Sequence, residues 1–163
     1  MIAERGTTFA TGVMTSSESF ALSSSPEDQA ILCGFEVDFL PAEIRTAEMR
    51  QVTRVQLSQW DLTMLTDDAT LVVSELVTNA IKHGQGRSVG LKVRRFTDEL
   101  RIEVTDGSPT PARLRSVGLA DENGRGLFLV AAVAKEWGVS PDGTMTWCSL
   151  TIPMRHRDGR SDG

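Results

Sequence analysis

The sequence predicts a two-layer α/β sandwich, in which one mixed, mostly antiparallel sheet carries helices on one face. Two observations predict this fold class. Short segments with alternating apolar residues recur along the chain, and longer segments between them repeat apolar residues at helical spacing. The 163 residues suffice for one domain with a real core. We place that domain at 34–154, between a Ser/Thr/Ala-rich leader over 1–33, expected to be disordered, and a polar tail over 155–163.

Composition and charge exclude several classes of protein. The chain has 22 acidic and 17 basic residues, a net charge of −5, and no Lys/Arg cluster that would bind nucleic acid. No apolar run approaches the roughly 18 residues of a membrane span. Cys33 and Cys148 are far apart, without a Cys-x-x-Cys motif, so we expect reduced thiols in a cytoplasmic protein. Two Cys and two His without ligand spacing also disfavour a zinc site.

The first two elements are a strand and a helix. Residues 35–39 alternate between apolar and acidic side chains and predict a strand. Pro41 stands where a helix can begin, with Glu43 in its first turn, and this helix should run to about Trp60. Its predicted core-facing stripe consists of Ile44, Ala47, Val52 and Val55.

The next helix, ending near Gly84, has an apolar stripe on one side and a polar line on the other. The stripe is Val73, Leu76, Val77 and Ala80, and the polar line is Glu75, Asn79, Lys82 and His83. A carboxylate can accept a proton, and an Asn oxygen can ligate Mg²⁺. The alternative is a solvated polar stripe on an ordinary amphipathic helix.

Two strands follow this helix, and the second ends at an Asp-Gly pair. Val89, Leu91 and Val93 alternate before a turn at Thr97-Asp98, and the second strand alternates through Leu100, Ile102 and Val104. An Asp at a strand end over a pocket, here Asp106 before Gly107, can accept hydrogen bonds from an exocyclic amine such as that of adenine. The alternative is an Asx turn closed by the same carboxylate.

A long connection, a glycine pair and a strand pair complete the domain. The connection after Gly107 contains Pro109, Pro111 and Gly118, which suggests a functional lid, although its Arg113 and Arg115 can equally be solvated charges. Gly124-Arg125-Gly126 predicts a turn into a helix with apolar Leu127, Val130, Val133 and Ala134. Such a turn can bind phosphate or merely cap the helix. Strands from Trp137 and over 144–152 flank a turn at 140–143.

In this order, the three segments resemble the N, G1 and G2 boxes of the histidine-kinase-like ATPases, the GHKL or Bergerat fold. The segments are Ser-Glu75-Leu-Val-Thr-Asn79-Ala-Ile-Lys-His83-Gly, Asp106-Gly-Ser-Pro and Gly124-Arg-Gly-Leu-Phe-Leu-Val. Within that superfamily the chain is similar to the short anti-sigma-factor serine/threonine kinases. The resemblance covers roughly residues 35 to 153 and includes Trp60-Asp-Leu62 and Trp137-Gly-Val139.

The resemblance implies a protein kinase that uses ATP and Mg²⁺. It makes Glu75 the catalytic base and Asn79 the Mg²⁺ ligand, and it places Asp106 on adenine. The nucleotide contacts that it implies are Asn79, His83, Asp106, Gly107, Gly124, Arg125, Gly126, Leu127 and Thr144. It also implies a STAS-domain anti-anti-sigma protein as substrate, a sigma factor as second partner, and a homodimer.

One departure from this family keeps other functions open. Related chains commonly carry Gly-Lys-Thr before the last Trp, whereas this chain has Gly143-Thr144-Met145-Thr146-Trp147. Without the lysine, catalysis could be weakened while nucleotide binding survives. The chain could then be a non-catalytic module that uses ATP to set its shape. A third possibility is a histidine-kinase-type catalytic fragment that needs a separate phosphoacceptor.

Overall fold

The computed structural model describes residues 29–107 and 122–154, with the side chains of 122–125 excepted. The predicted lid and tail, and most of the leader, lie outside this part of the chain. The elements are β1 (Cys33–Phe39), α1 (Glu43–Gln59), a 3-10 turn (Thr63–Leu65), α2 (Thr66–His83), β2 (Val89–Arg95), β3 (Glu99–Thr105), α3 (Glu122–Val133), β4 (Glu136–Val139) and β5 (Met145–Thr151).

The five strands form one sheet with the order β1-β2-β3-β5-β4, and the three helices cover one of its faces. Every strand pair in the described sheet is antiparallel, so the predicted mixed sheet is antiparallel here. Hairpins join β2 to β3 and β4 to β5, as the turns at Thr97-Asp98 and 140–143 predicted. The α/β sandwich predicted from the sequence is thereby confirmed.

Helix α2 lies at the centre of the helical layer, because it packs against α1, α3 and three strands. The predicted stripe is buried, with Val73, Leu76, Val77 and Ala80 each at most 6% exposed. Asp67 and Asp68 lie in its first turn and Lys82 and His83 in its last, which matches the helix dipole at both ends. The motif helix is therefore fixed in the core along one side while its polar line stays accessible.

Helix α1 buries a different face from the one predicted. Ile44 is 62% exposed and Val55 is 45% exposed, whereas Met49, Thr53 and Leu57 are buried. The Thr53 hydroxyl donates a hydrogen bond to the Met49 carbonyl oxygen, which satisfies this hydroxyl inside the core. Val52 packs on the core as predicted, but Ala47 is exposed like Ile44 and Val55, so the rest of the predicted stripe was wrong. A stripe that includes a buried threonine is invisible to a search for apolar residues alone.

The first strand begins slightly earlier than the predicted domain boundary. Cys33 opens β1, and the Leu32 N–H donates to the Arg95 carbonyl oxygen. Both residues therefore lie within the folded domain, just before its predicted start at residue 34.

We expect the leader to be dispensable for stability, because its polar composition cannot bury a core. A chain that begins at Gln29 should unfold within a few degrees of the full chain in calorimetry. A chain that begins at Gly34 is the comparison, and it should unfold lower because it loses Leu32, Cys33 and their pairing with Arg95. A large drop for the chain that begins at Gln29 would show that earlier residues pack on the domain.

The face of the sheet opposite the helices carries charged side chains. Glu103 is buried there between the guanidinium groups of Arg94 and Arg101, and Arg101 lies 4.6 Å from the ring centre of Trp147. Lys92 pairs with Glu36, and Lys135 pairs with Glu99. Within the described residues, these ion pairs link charged side chains of this part of the molecule to one another.

Neither cysteine forms a disulfide. Burial raises the pKa of the Cys148 thiol to about 12, because an apolar environment disfavours the thiolate. This thiol is therefore protonated and unreactive at neutral pH. None of the helices in the described segments is both long enough and apolar enough to cross a membrane.

Candidate nucleotide-binding site

The polar line of α2 contains two side chains that the described residues leave without partners. Glu75 and Asn79 are half-buried and about 6 Å apart along the helix axis. Within the described residues, neither the Glu75 carboxylate nor the Asn79 amide forms a hydrogen bond or ion pair. Half-buried polar groups usually find partners inside the protein, because leaving them unpaired is unfavourable. This pair is therefore suited to contact a ligand.

The two remaining residues of the polar line differ in exposure from this pair. Lys82 and His83 are exposed in the last turn of α2, where positive charge is favourable beside the carboxyl end of a helix. The position of His83 is consistent with this structural role. Its predicted contact with a nucleotide stays a prediction.

The glycine pair lies inside α3 and not in a turn before it. Since α3 begins at Glu122, Gly124 and Gly126 are the third and fifth residues of the helix, and the predicted turn was wrong. Gly126 is buried against the side of α2. A Cβ built on Gly126 would stand 2.2 Å from Oε2 of Glu75. The structure thus brings the second glycine next to the candidate base.

The Asp-Gly pair lies beside the other end of the polar line. A Cβ on Gly84, the residue after α2, would lie 2.8 Å from the Asp106 carbonyl oxygen. Gly107 has a φ of 64°, which favours glycine, and a Cβ there would lie 2.8 Å from the Ser88 carbonyl oxygen. The Arg87 guanidinium also donates to the Gly107 carbonyl oxygen at 3.2 Å. The segment after α2 thus packs against the backbone of Asp106 and Gly107.

Thr144 lies next to Asp106 across the sheet. The Asp106 N–H donates to the Thr144 carbonyl oxygen at 3.1 Å, just beyond the last pair of β3 and β5. The Thr144 hydroxyl donates to Asp142, which also accepts from the Ser140 hydroxyl. Hydrogen bonds from Ser140 and Thr144 hold the pKa of the Asp142 carboxyl below its ordinary value. The Thr144 hydroxyl is therefore engaged within its own turn.

The structure brings most of the predicted residues together along α2. Glu75 meets Gly126 near the middle of the helix, Asn79 follows one turn later, and Asp106 lies at the helix end with Thr144 behind it. The Leu127 side chain is partly buried and packs on the core, and its predicted nucleotide contact stays a prediction. The side chain of Arg125 lies outside the described residues.

Two residues near the site were not singled out from the sequence. Gly84 lets the Asp106 backbone pack closely against the end of α2, and the Arg87 guanidinium donates a hydrogen bond to the Gly107 carbonyl oxygen. Gly84 could have been found from the sequence, because it directly follows the motif helix. A glycine at this position lets two backbone segments approach closely. Arg87 carried no such signal, because an arginine in a connection usually lies in solvent.

These features fit a nucleotide with its metal. Gly84, Gly107 and Gly126 each let a neighbouring segment approach more closely than a side chain would allow, and Asn79 offers an oxygen of the type that Mg²⁺ prefers. Asp106 offers a carboxylate at the other end of the line. The fold and the site together are suited to bind a nucleotide on an α/β sandwich.

Comparison with known sequences identifies the family. Residues 39–150, more than half of the chain, match the histidine kinase-like ATPase domain, and the chain belongs to this family. Such domains bind ATP, typically with Mg²⁺. The chain is also 36% identical over 75 residues to an uncharacterized protein of Streptomyces coelicolor. That alignment covers 44% of this chain and 71% of the relative.

The prediction that Asp106 recognises adenine is testable by one substitution. We expect Asp106→Asn to weaken ATP binding by about 1.5–3 kcal/mol, or ~10- to 150-fold, because a charged hydrogen bond to the base is lost. Asp98→Asn is the matched control, since Asp98 precedes β3 as Asp106 follows it. Calorimetry should show reduced ATP affinity for Asp106→Asn alone. Unchanged affinity, or equal affinity of the native protein for GTP, would remove Asp106 from base recognition.

Proposed function

We propose that this chain is an ATP-dependent protein serine/threonine kinase and anti-sigma factor. Its substrate would be a serine or threonine on a STAS-domain anti-anti-sigma protein, and it would sequester a sigma factor until that antagonist competes. We further propose that it acts as a cytoplasmic homodimer. The motif resemblance to the anti-sigma kinases supports the partners, and the chemistry of the site supports the phosphotransfer.

A single observation carries the kinase proposal. The Glu75 carboxylate is half-buried, stands one helical turn from the Asn79 amide, and forms no ion pair or hydrogen bond within the described residues. A carboxylate that has no hydrogen-bond or ion-pair partner within the described residues is available to accept a proton from a substrate. Burial without a partner is unfavourable for a charged group, so a structural role does not account for Glu75.

In the proposed reaction, the oxygen of the substrate hydroxyl attacks the γ-phosphorus of ATP while Glu75 accepts the hydroxyl proton. The bond between the γ-phosphorus and the bridging oxygen breaks, and ADP leaves with that electron pair. Glu75 contributes on the order of 10²–10⁴ in rate as a general base. Positioning and charge neutralisation provide much of the remaining acceleration in phosphoryl transfer.

The remaining residues of the site would bind and orient the nucleotide. Asp106 would hold the adenine and Asn79 would hold the metal. The first turns of α3, which contain Gly124, Arg125 and Gly126, would lie along the phosphates, because the amino end of a helix favours negative charge. When bound, Mg²⁺ would neutralise developing charge on the phosphates.

A second candidate function is a non-catalytic ATP-binding adapter that binds the same partners. One observation favours it: the Thr144 hydroxyl donates to Asp142 in a closed turn, where related kinases commonly carry a lysine followed by a threonine. This turn therefore offers neither a lysine nor a free Thr144 hydroxyl to a phosphate group.

The two candidates differ in one measurable product. The full chain is incubated with γ-labelled ATP, Mg²⁺ and candidate STAS-domain proteins, and label on the STAS protein is measured. A kinase labels a STAS-domain serine or threonine, whereas an adapter binds ATP and a sigma factor without any transfer. Light scattering of the purified chain tests the proposed homodimer, and co-purification with candidate sigma factors tests the second partner.

A further inference from the structure

We propose that Gly126 is a positioning residue for the Glu75 carboxylate. By lacking a side chain, it leaves the space that the proposed base occupies. This inference rests on the proposed kinase function, because it assigns Gly126 a task in the same site. It differs from the role implied by the family resemblance, in which Gly126 only lets the helix backbone approach the phosphates.

The contact between Gly126 and Glu75 involves most of the Glu75 side chain. The three atoms nearest to a Cβ built on Gly126 are Oε2 of Glu75 at 2.2 Å, its Cδ at 3.2 Å and its Cβ at 3.7 Å. No other residue supplies one of these nearest atoms. Glu75 therefore extends along the surface of α3, and its carboxylate fills the position of the missing side chain.

The helices on both sides of this contact are fixed by the core. Val130 of α3 is fully buried, and Leu76 and Val77, which follow Glu75 in α2, are at most 2% exposed. The clash at 2.2 Å involves the far end of a flexible side chain, while the contact at the Glu75 Cβ is of ordinary length. An added methyl group would therefore displace the carboxylate and leave both helices in place.

Polar contacts of the described residues do not fix the position of the Glu75 carboxylate. Within the described part of the chain, no hydrogen bond or ion pair holds the Glu75 carboxylate. Among the described contacts, the close approach of α3 at Gly126 limits where the carboxylate can lie. A displacement of about 1 Å can lower a rate by ~10²-fold when reacting groups need close alignment.

Gly126→Ala tests this role through the separation of catalysis from binding. We expect kcat for phosphotransfer to fall at least ~10-fold, and we expect any loss of ATP affinity to be smaller than this fall. In a Glu75→Gln background, Gly126→Ala should cause no further loss of kcat, because the base is already absent. Weaker ATP binding with kcat retained at saturating ATP would assign Gly126 to the phosphates and overturn the inference.

An unfolding cycle tests the contact independently of activity. Alanine is the better helix former, so in a Glu75→Ala background Gly126→Ala should raise the unfolding midpoint by about 3 °C. In the native background the gain should be smaller or reversed, because the carboxylate must move. Equal gains would overturn the inference. If the native chain labels no STAS protein, the proposed function fails. The contact between Gly126 and Glu75 is still tested by this unfolding cycle, which does not depend on activity.

Discussion

Glu75→Gln should lower phosphotransfer to a STAS-domain protein by about two orders of magnitude or more and leave ATP binding intact. The amide keeps the size of the side chain and removes its ability to accept the hydroxyl proton. Because the carboxylate has no polar partner within the described residues, the substitution breaks no hydrogen bond or ion pair in that part of the chain. The measurement is label transfer from γ-labelled ATP at saturating nucleotide, with the ATP Kd determined in parallel.

Asp68→Asn is the matched control for Glu75→Gln. Asp68 is exposed in the first turn of the same helix, so its replacement removes one carboxylate from α2 without touching the site. It should transfer phosphate at the native rate, with a stability loss of about 0.3–1 kcal/mol from the helix dipole. A Glu75→Gln variant as active as Asp68→Asn would exclude Glu75 as the base. Activity lost together with ATP binding would instead indicate a binding role.

The two longest helices show where sequence periodicity succeeds and where it fails. In α2 the apolar positions are aliphatic throughout, so the stripe through Val73 and Leu76 was predicted and is buried. In α1 the buried face is mixed and contains Thr53, whose hydroxyl is satisfied by a backbone oxygen one turn earlier. Ile44 fits an apolar periodicity and yet lies in solvent. Periodicity reports apolar spacing, whereas burial also accepts a polar group that has found a partner.

The site was predictable as a set of residues and less so as a geometry. Glu75, Asn79 and Asp106 were identified because carboxylate and amide side chains are conspicuous within apolar helices and strands. The contact of Gly126 with Glu75 joins two helices 51 positions apart in the chain, and no local pattern reports such a contact. The turn around Asp142 likewise engages the Thr144 hydroxyl through a hydrogen bond that the motif comparison could not reveal.

Asn79→Ala should abolish the Mg²⁺-dependent part of ATP binding and increase, or at least preserve, the stability of the fold. Alanine has the higher helix propensity, and within the described residues the amide has no partner to lose. Opposite effects on stability and on metal-dependent binding are expected when a residue serves a ligand and not the fold. Calorimetry of ATP binding with Mg²⁺ and with excess chelator measures the first effect, and thermal unfolding measures the second.

The expected loss in rate is also large, because a bound metal typically stabilises a phosphoryl-transfer transition state by several kcal/mol, which corresponds to ~10²-fold or more. Asn79→Asp tests the chemistry of the ligand, since it keeps an oxygen in place and should retain the metal dependence. Lys82→Ala is the control on the exposed end of the same helix and should behave as the native chain. If Asn79→Ala responds to Mg²⁺ as strongly as Lys82→Ala, the metal is held elsewhere. The polar line of α2 would then supply the proton acceptor alone, and the metal ligand would have to come from another element of the site.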